Sequence, residues 1–446
     1  MNALSTDLYQ LTMIAGYFHR EVLDVRATFE LFVRQLPRNR KVLVSAGLEQ
    51  ALTYLAQLHF TADEIAWLRD LPSFAHVPAS FFDYLRSFRF SGDVWAMAEG
   101  TPFFPMEPVL RVSAPIAEAQ LVETALLAII NFQTTIASKA LRIVRAAQGR
   151  PVMEFGARRA HGLDAALFAA RAAYLAGCTA TSFVEAGRQF GVPLTGTMAH
   201  SWILAAPSEL DAFTSYANLF GEHTVLLIDT FDVDAATRTI VEAPLRASGV
   251  RIDSGDLEAQ SRSVRETLDR AGLTSTRIVI SGDLDEWKIA ELVAARAPVD
   301  TFAVGTTLVT SDDAPALGGV YKLVEIEDRG VTRQVMKRSA GKTTWPGRKQ
   351  VWRISANGAA LRDVIALEDE SFDSPDRLAQ DGPVNVTPLL QTVMRNGVRI
   401  PSATSLEESR HYCQRMTDAL PPSLLTLQSG TPYPVQPSDA LAASIR

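Results

Sequence analysis

The middle of the 446-residue chain repeats one pattern, in which a short apolar run ends in small polar residues and an alanine-rich amphipathic stretch follows. An apolar run of this length is typical of a buried β-strand and the amphipathic stretch of an α-helix, so the repeat predicts β/α alternation. The strand ends are Val152–Gly156, Thr181–Ser182, Thr195–Thr197, Leu226–Asp229, Arg251–Gly255, Ile278–Gly282 and Phe302–Thr306.

Two architectures accommodate this alternation, a closed α/β barrel and a doubly wound open sheet. The barrel is favoured because nearly every strand end carries glycine or polar residues, as expected where all strands converge on one mouth. We therefore predict an α/β fold whose middle segment is an irregular (β/α) barrel of about seven strands.

The segments on either side of the predicted barrel have other patterns. Residues 26–33 alternate as a strand does, and residues 44–58 and 62–70 have helical spacing, which indicates a separate α/β layer. After Val320 short strands alternate with glycine turns. The tail, residues 426–446, is rich in Pro, Ser and Ala, so we expect it to be loosely ordered.

Composition excludes several classes of protein. The longest apolar run, Ala125–Ile130, is far shorter than the roughly 18 to 20 residues of a membrane span, and the N-terminus lacks a signal-peptide pattern. We therefore expect a cytoplasmic protein without a membrane partner. A net charge of -7 argues against a nucleic-acid partner. Cys178 and Cys413 form no C-x-x-C motif, so neither a disulfide framework nor a structural zinc site is expected.

Two near-copies of one motif place Ser-Gly-Asp between a strand and a helix, at Asp253–Leu257 and Ser281–Asp285. For either copy alone, capping of the helix N-terminus is a sufficient explanation. Two copies, with Gly305–Thr307 in the matching place, instead favour a sugar-phosphate site. Backbone N–H groups and hydroxyls bind phosphate oxygens, and carboxylates bind ribose hydroxyls and Mg²⁺.

Arg251 and His200 are the charged and nucleophilic candidates beside these motifs. Arg251 lies two residues before Asp253 and so points to the same side of its strand. An unpaired arginine inside a barrel would be costly, so Arg251 has either an acidic partner or an anionic ligand. His200 follows a strand end, and Asp229 at the end of the next strand could hold one imidazole nitrogen while the other faces the mouth.

Other motifs are absent or unconvincing. The chain contains no G-x-G-x-x-G, H-E-x-x-H or G-x-S-x-G sequence. Residues 341–343 resemble the end of a phosphate-binding P-loop, but Met336 occupies the place of its first glycine, so we reject that interpretation. The segment from Lys322 to Arg353, which includes these residues, is basic, and it is a solvated face or, on charge grounds, a site for pyrophosphate or ribose phosphate. Its bases are Lys322, Lys337, Arg338, Lys342, Arg348, Lys349 and Arg353.

Six blocks in order, spread over residues 1 to about 355, resemble the motifs of the nicotinate phosphoribosyltransferase family. Their order makes the resemblance far more specific than any single block. The blocks are Thr6–Met13, Glu154–Ala160, Gly196–Ser201, Arg251–Leu257, Gly305–Thr306 and Gly319–Leu323.

The resemblance implies a type II phosphoribosyltransferase fold, with a barrel over residues 116–314 and an α/β open-sandwich domain formed by both chain ends, residues 1–115 with 315–425. It also implies the reaction of nicotinate, phosphoribosyl pyrophosphate and ATP to nicotinate mononucleotide in NAD salvage, with Mg²⁺ as cofactor. The partners would be these small molecules and a second copy of the chain, in a homodimer with shared active sites.

Roles for individual residues also follow from the resemblance. His200 would be the residue that ATP phosphorylates and Asp229 would orient it, while Arg158 and Arg251 would meet the ribose-linked phosphate or the carboxylate. On charge grounds, Arg251 with Mg²⁺ also fits the departing pyrophosphate. Tyr9 and Phe155 would stack on the pyridine ring, Tyr9 from the second subunit. The substrate-binding residues would be Tyr9, Phe155, Arg158, Thr197, Asp253, Gly282, Asp283, Gly305 and Thr306.

Three other functions remain open on the sequence. Nicotinamide phosphoribosyltransferases place an aspartate against the amide, whereas residues 177–182 contain hydroxyls and no acid, with Glu185 nearby. Quinolinate phosphoribosyltransferase shares the fold type, but its dicarboxylate substrate would demand a denser set of cations. A non-catalytic phosphosugar or nucleotide sensor on the same fold would need no nucleophilic His200.

Overall fold

The computed structural model describes residues 2–243, 245, 247–339, 343–370, 384–400 and 404–445. The chain forms two compact units. Unit 1 comprises Met1–Thr135, Ala316–Leu425 and Gly430–Arg446, and unit 2 comprises Ile136–Pro315 with Thr426–Ser429. No helix in the described residues has the length and hydropathy of a membrane-spanning segment.

Strands are numbered in chain order over the described residues. They are β1 Arg26–Val33, β2 Leu43–Val44, β3 Asp93–Met97, β4 Pro102–Phe103, β5 Pro108–Pro115, β6 Val152–Glu154, β7 Ala180–Thr181, β8 Val225–Leu227, β9 Gly249–Ile252, β10 Arg277–Ile280, β11 Thr301–Val304, β12 Gly319–Asp328, β13 Val331–Gln334, β14 Lys349–Ala356, β15 Ala359–Leu367, β16 Asn385–Pro388, β17 Leu390–Arg395, β18 Val398–Arg399 and β19 Val435–Pro437.

The α-helices follow the same numbering. They are α1 Leu8–His19, α2 Leu48–Gln57, α3 Ala62–Arg69, α4 Ala79–Ser87, α5 Ile116–Leu121, α6 Glu123–Ala146, α7 Leu163–Leu175, α8 Val184–Phe190, α9 His200–Ala205, α10 Glu209–Phe220, α11 Val233–Glu242, α12 Leu257–Arg270, α13 Glu286–Ala294, α14 Thr306–Thr310, α15 Leu406–Asp418 and α16 Asp439–Ile445.

Unit 1 is organised by a seven-stranded sheet of order β13-β12-β1-β5-β3-β17-β18. Strand β1 lies inside this sheet, pairing antiparallel with β12 on one side and β5 on the other. The strand is buried along almost its whole length, as expected for a central strand covered on both faces. Since β12, β13, β17 and β18 come from the C-terminal part, both chain ends build one sheet, as the resemblance implies.

The boundary and the tail of unit 1 differ from the predictions. Residues 116–135 belong to unit 1 rather than to the barrel, because apolar side chains of α5 and the first half of α6 join the core around its sheet. The tail, expected to be loosely ordered, carries β19 and α16. Strand β19 pairs with β15, and Leu441 of α16 is fully buried, so a few apolar residues order a segment of disorder-prone composition.

Unit 2 is organised by a six-stranded sheet of order β7-β6-β11-β10-β9-β8 whose strand pairs are parallel. Strands β9 and β11 are buried throughout, which accounts for their mainly apolar sequences, in which Arg251 and Thr301 are the polar exceptions. A single parallel bridge between Thr181 and Leu194 stands where the seventh strand was predicted.

The sheet of unit 2 is curled. Arg251 on β9 donates a hydrogen bond to Thr197, which lies just beyond the opposite edge of the strand order, at an N–O distance of 2.9 Å. In a flat sheet, a side chain on β9 could not reach past β10, β11 and β6 to the far edge at β7. The prediction of an irregular barrel is therefore confirmed in preference to an open sheet, with six strands and one bridge in place of about seven strands.

Candidate active site

A cavity of about 160 Å³ lies at the carboxyl ends of the strands of unit 2. This is the end of a parallel α/β sheet at which ligands are bound. Among the predicted site residues it brings together six. The lining residues are Phe155, Arg158, Ser182, Gly196, Thr197, Met198, Ala199, His200, Leu227, Arg251 and Asp253.

Arg251 is the centre of the polar network in this cavity. Its Nη2 lies 2.5 Å from Asp253 Oδ1, its Nη1 donates to Thr197 Oγ1 at 2.9 Å, and its Nε donates to Ser281 Oγ at 2.7 Å. The i, i+2 spacing therefore places both charges on one face of β9, as predicted. Of the two alternatives for Arg251, the structure shows the acidic partner, and the guanidinium plane is held from three sides.

Asp253 is the acid of this network. It accepts a second hydrogen bond, from Ser281 Oγ at 2.5 Å. Burial by itself raises the pKa of the Asp253 carboxyl, but the Ser281 hydrogen bond and the Arg251 charge outweigh it, so the pKa is lowered overall. The site therefore contains a fixed carboxylate beside a fixed guanidinium.

His200 is the first residue of α9 and its side chain is 43% exposed. Its Nδ1 lies 3.1 Å from Thr230 Oγ1, and its Nε2 lies 3.9 Å from Asp253 Oδ2. The prediction that Asp229 holds this ring is wrong for this structure. The residue after Asp229 supplies the contact, because the chain turns at the end of β8 and directs the next side chain to the histidine.

Asp229 instead braces the end of β9. Its Oδ2 accepts from the backbone N–H of Asp253 at 3.1 Å and from Ser254 Oγ at 2.6 Å. Its Oδ1 is buried and has no hydrogen-bond partner among the described residues. No group of three or more His, Cys, Asp or Glu residues in the described chain could by itself hold a metal ion.

The two Ser-Gly-Asp copies have different local roles. In the first, Asp256 caps α12 by accepting from the N–H of Ala259 at 3.0 Å. In the second, Asp285 caps α13 instead, which leaves Asp283 exposed in the preceding loop with a left-handed φ of 44°. Capping therefore explains the first copy but not Asp283.

Gly282 and Gly305 hold the loops after β10 and β11. A Cβ on Gly282 would lie 1.8 Å from the carbonyl oxygen of Asp253, so only glycine allows the β10–α13 loop to approach the end of β9. Gly305 precedes α14, whose exposed first residue is Thr306. Thr307 Oγ1 donates to the carbonyl oxygen of Leu284 at 2.5 Å, which joins the two loops directly.

Glu154 is a functional candidate that the sequence reasoning did not single out. It ends β6 immediately before Phe155, is buried, and accepts from Thr181 Oγ1 at 2.5 Å and from the N–H of Gly156. Burial raises its pKa, and the two hydrogen bonds offset only part of the effect. The sequence feature that could have identified Glu154 is a charged residue at the end of an apolar strand.

Phe155 presents an aromatic ring to the cavity. The Arg251 guanidinium carbon lies 5.8 Å from its centroid, within the range of a cation–π contact. Arg158, on a short 3-10 helix at 157–159, is exposed at the cavity rim. Tyr9 belongs to unit 1, where it lies on α1 with half of its surface exposed.

The basic segment is dispersed rather than clustered. Lys349 is buried with its Nζ 2.8 Å from Glu30 Oε2, and Arg353 is buried 2.6 Å from Asp363. Arg348 pairs with Glu325 at 3.0 Å. The suggestion of an anion site is therefore wrong for Lys349 and Arg353, because a buried carboxylate already pairs with each of them. The partner of Lys349 lies on the sequence-distant β1 and that of Arg353 on the adjacent strand β15. Lys342 lies outside the described residues.

Comparisons with known proteins agree along the chain. Family models described as the N-terminal domain, the family and the C-terminal domain of nicotinate phosphoribosyltransferase match residues 4–131, 151–371 and 348–444. Nicotinate phosphoribosyltransferase pncB2 of Mycobacterium tuberculosis is 43% identical, covering 100% of this chain and 93% of the relative. Nicotinate phosphoribosyltransferase of Bacillus subtilis is 42% identical, covering 86% and 80%.

A solved structure supports the same assignment. The crystal structure of human nicotinic acid phosphoribosyltransferase superimposes with a TM-score of 0.83 at 30% identity, covering 98% of both chains. Sequence identity along the whole chain, the matched family models and the shared fold lead to one conclusion: the chain belongs to the nicotinate phosphoribosyltransferase family.

Proposed function

We propose that this protein converts nicotinate, phosphoribosyl pyrophosphate, ATP and water to nicotinate mononucleotide, pyrophosphate, ADP and phosphate, in the salvage of NAD. The observation that carries the proposal is one cavity of a nicotinate phosphoribosyltransferase family member that combines an aromatic ring, a braced guanidinium and an imidazole, at Phe155, Arg251 and His200.

The pyridine ring would stack on Phe155, because an electron-poor planar ring gains from contact with an aromatic face. Its carboxylate would meet Arg158 or the hydroxyls of Thr197 and Ser182 at the same cavity. A nicotinamide amide would instead require an acceptor. Glu185, the acid nearest to this segment in sequence, is engaged by Arg188 on α8, and this supports selection of nicotinate.

In the glycosyl transfer, the pyridine nitrogen forms a bond to the anomeric carbon while the bond from that carbon to the pyrophosphate oxygen breaks. The ribose ring passes through a cationic state, so fixed carboxylates near it and cations at the leaving group lower the barrier. Asp253 and Asp283 would serve the ribose, and Arg251 the pyrophosphate. The loops at Gly282, Gly305 and Thr306 would hold the phosphoribosyl group.

His200 would couple the reaction to ATP. In the tautomer whose Nδ1–H donates to Thr230 Oγ1, the ring keeps a lone pair on Nε2, the nitrogen on the Asp253 side. Nε2 would attack the γ-phosphorus of ATP, forming an N–P bond while the bond to the β,γ-bridging oxygen breaks and ADP leaves. Water then cleaves the N–P bond and releases phosphate.

The residues present also fit Mg²⁺, which would supply positive charge at the pyrophosphate when bound. Mg²⁺ in such sites is held by one or two carboxylates together with substrate phosphates. The buried Oδ1 of Asp229 has no hydrogen-bond partner within the described chain and is a carboxylate oxygen suited to this role. Asp229 would therefore hold the ion, besides bracing the end of β9.

A homodimer would complete the site. Leu8, Tyr9 and Met13 leave 51%, 50% and 37% of their surfaces exposed on α1 of unit 1. Large apolar side chains grouped on one helix in this way mark an interaction surface. A second copy would cover these side chains. Tyr9 would then reach into the site of the other subunit and stack on the face of the pyridine ring that is opposite Phe155.

The proposal is tested by product formation from phosphoribosyl pyrophosphate with nicotinate and nicotinamide side by side, each with and without ATP and Mg²⁺. We expect turnover of nicotinate that ATP stimulates. Preference for nicotinamide would contradict the assignment of the carboxylate contacts. No turnover of either, without ATP hydrolysis, would favour a non-catalytic sensor.

A further inference from the structure

A buried lysine in unit 2 bridges two segments of the chain. Each segment adjoins one of the loops that are assigned above to the phosphoribosyl group. Lys139 lies on α6 with 2% of its side chain exposed. Its Nζ lies 2.7 Å from Glu286 Oε2, 3.0 Å from Asp313 Oδ1 and 3.2 Å from Asp312 Oδ1. One ammonium group therefore contacts three carboxylates from two different segments.

Glu286 connects the first of these segments to the site. It is the first residue of α13 and follows the loop that contains Gly282 and Asp283. Its side chain is fully buried and also accepts from Arg142 Nε at 2.9 Å. The position at which the β10–α13 loop enters its helix is therefore determined by two cations of α6.

Asp312 and Asp313 connect the second segment. They follow α14, the five-residue helix that begins at Thr306. A helix this short has little stability of its own, so its orientation depends on its attachments. At its beginning Thr307 binds the carbonyl of Leu284, and just beyond its end the two aspartates bind Lys139.

The charges of this cluster are stable. Burial alone lowers the pKa of Lys139, but Glu286 and Asp313 outweigh it and the pKa is raised. Burial alone raises the pKa of Glu286, but Lys139 and Arg142 outweigh it and the pKa is lowered. Both groups stay ionised at neutral pH, so the contacts are charge-assisted and directional.

We propose that Lys139 is a positioning residue for phosphoribosyl pyrophosphate, which acts by locking the β10–α13 loop and the α14 segment in one relative arrangement. Lys139 is buried beneath the loops and acts through other residues. The inference rests on the proposed function, because it assigns those loops to the phosphoribosyl group. It predicts that loss of the ammonium affects this substrate far more than nicotinate.

The test compares Lys139→Met, which keeps the length of the side chain without its charge, with Lys139→Arg, which keeps the charge. We expect Lys139→Met to raise the KM for phosphoribosyl pyrophosphate about tenfold or more, since small displacements of binding groups have effects of this size. The KM for nicotinate should change less than twofold. Lys139→Arg should keep the KM for phosphoribosyl pyrophosphate close to the wild-type value. Asp313→Asn, a milder change, should raise the same KM by about threefold.

Lys349→Met is the matched control. Lys349 is also a buried lysine, 3% exposed, with its Nζ 2.8 Å from Glu30, but its ion pair belongs to unit 1. Removing it should lower the melting temperature without changing the KM for phosphoribosyl pyrophosphate. If both variants raise that KM equally, the effect is general destabilisation and the positioning role is overturned.

Hydrogen exchange of the ligand-free protein provides a readout that does not depend on turnover. Lys139→Met should speed exchange at residues 282–285 and 306–313 together, and Lys139→Arg should not. Wild-type protein that fails to bind phosphoribosyl pyrophosphate would overturn the proposed function and with it this role. Normal binding by Lys139→Met, with wild-type protein active, would overturn the role of Lys139 alone.

Discussion

What a single residue of the site can do depends on how many of its polar atoms already form hydrogen bonds. Three nitrogens of Arg251 are held by Asp253, Thr197 and Ser281, so the guanidinium can meet an anion without reorganising. His200 has one nitrogen engaged by Thr230 and a side chain that is 43% exposed. Arg251 is therefore suited to electrostatic stabilisation of an anion, and His200 is suited to the reaction with ATP that is proposed above.

Replacement of His200 tests this distinction. His200→Ala should abolish ATP hydrolysis and the stimulation of nicotinate turnover by ATP, because the proposed nucleophile is removed. The melting temperature should stay close to that of the wild type, since a half-exposed polar side chain contributes little packing. The measurements are ADP release and thermal melting. A variant that loses cooperative melting would show that His200 is structural.

Glu154 allows a prediction about pH. Its pKa is raised by burial, so the stability that its protonated form contributes is present below the unfolded pKa of about 4.3 and is lost as the pH rises through the folded value. Relative to Glu154→Gln, the wild-type protein should therefore be less stable at pH 8 than at pH 4. Urea unfolding at both pH values measures the difference.

Glu185→Gln is the control for the pH prediction. Glu185 is an exposed acid whose pKa is lowered to about 2 by hydrogen bonds from Arg188 and Gln189. The free energy of unfolding of the wild type should not fall, relative to that of Glu185→Gln, as the pH rises. Parallel stability profiles for the wild type and Glu154→Gln would refute the prediction.

At the scale of elements, the site depends on loops that approach neighbouring strand ends. Gly282→Ala should destabilise the protein by about 2 kcal/mol or more and reduce activity at least 100-fold, because its Cβ would lie 1.8 Å from the Asp253 carbonyl oxygen. Gly272→Ala is matched, with φ +77° and open space around its Cβ, and should cost about 1 kcal/mol without loss of activity. Unfolding curves and initial rates measure both. Equal effects of the two substitutions would show that backbone strain alone matters.

At the scale of the whole molecule, the proposed homodimer predicts complementation between two variants that are impaired in different ways. Tyr9→Ala should weaken nicotinate binding, and His200→Ala should remove ATP coupling. If Tyr9 acts in the partner's site, a mixed dimer contains one site with both defects and one site without either. Co-refolding equal amounts should restore about a quarter of the wild-type sites. ATP-stimulated turnover that stays at the level of the separate variants would place Tyr9 in the site of its own chain or outside it.

The sequence by itself determined the alternation of strands and helices in unit 2, because spacings of two and of about 3.6 residues are local properties of the chain. Six of the seven predicted strand ends follow strands of the parallel sheet, and the seventh follows a single bridge. The i, i+2 spacing of Arg251 and Asp253 likewise predicted that both side chains lie on the same side of the strand, but it left open whether Arg251 meets an acid or an anionic ligand. The grouping of the predicted site residues at strand ends follows from the same local pattern.

Only the tertiary structure decided which partner each polar group takes. His200 contacts Thr230 rather than Asp229, and Glu154 accepts a hydrogen bond from Thr181. Lys139 forms ion pairs with segments that lie nearly 150 to 175 residues away along the chain. Such choices depend on differences of an ångström between elements that are distant in sequence, and no spacing rule reports them. The order of the strands, the position of the boundary within α6 and the ordering of the tail have the same origin, because each depends on which apolar faces meet in the folded chain.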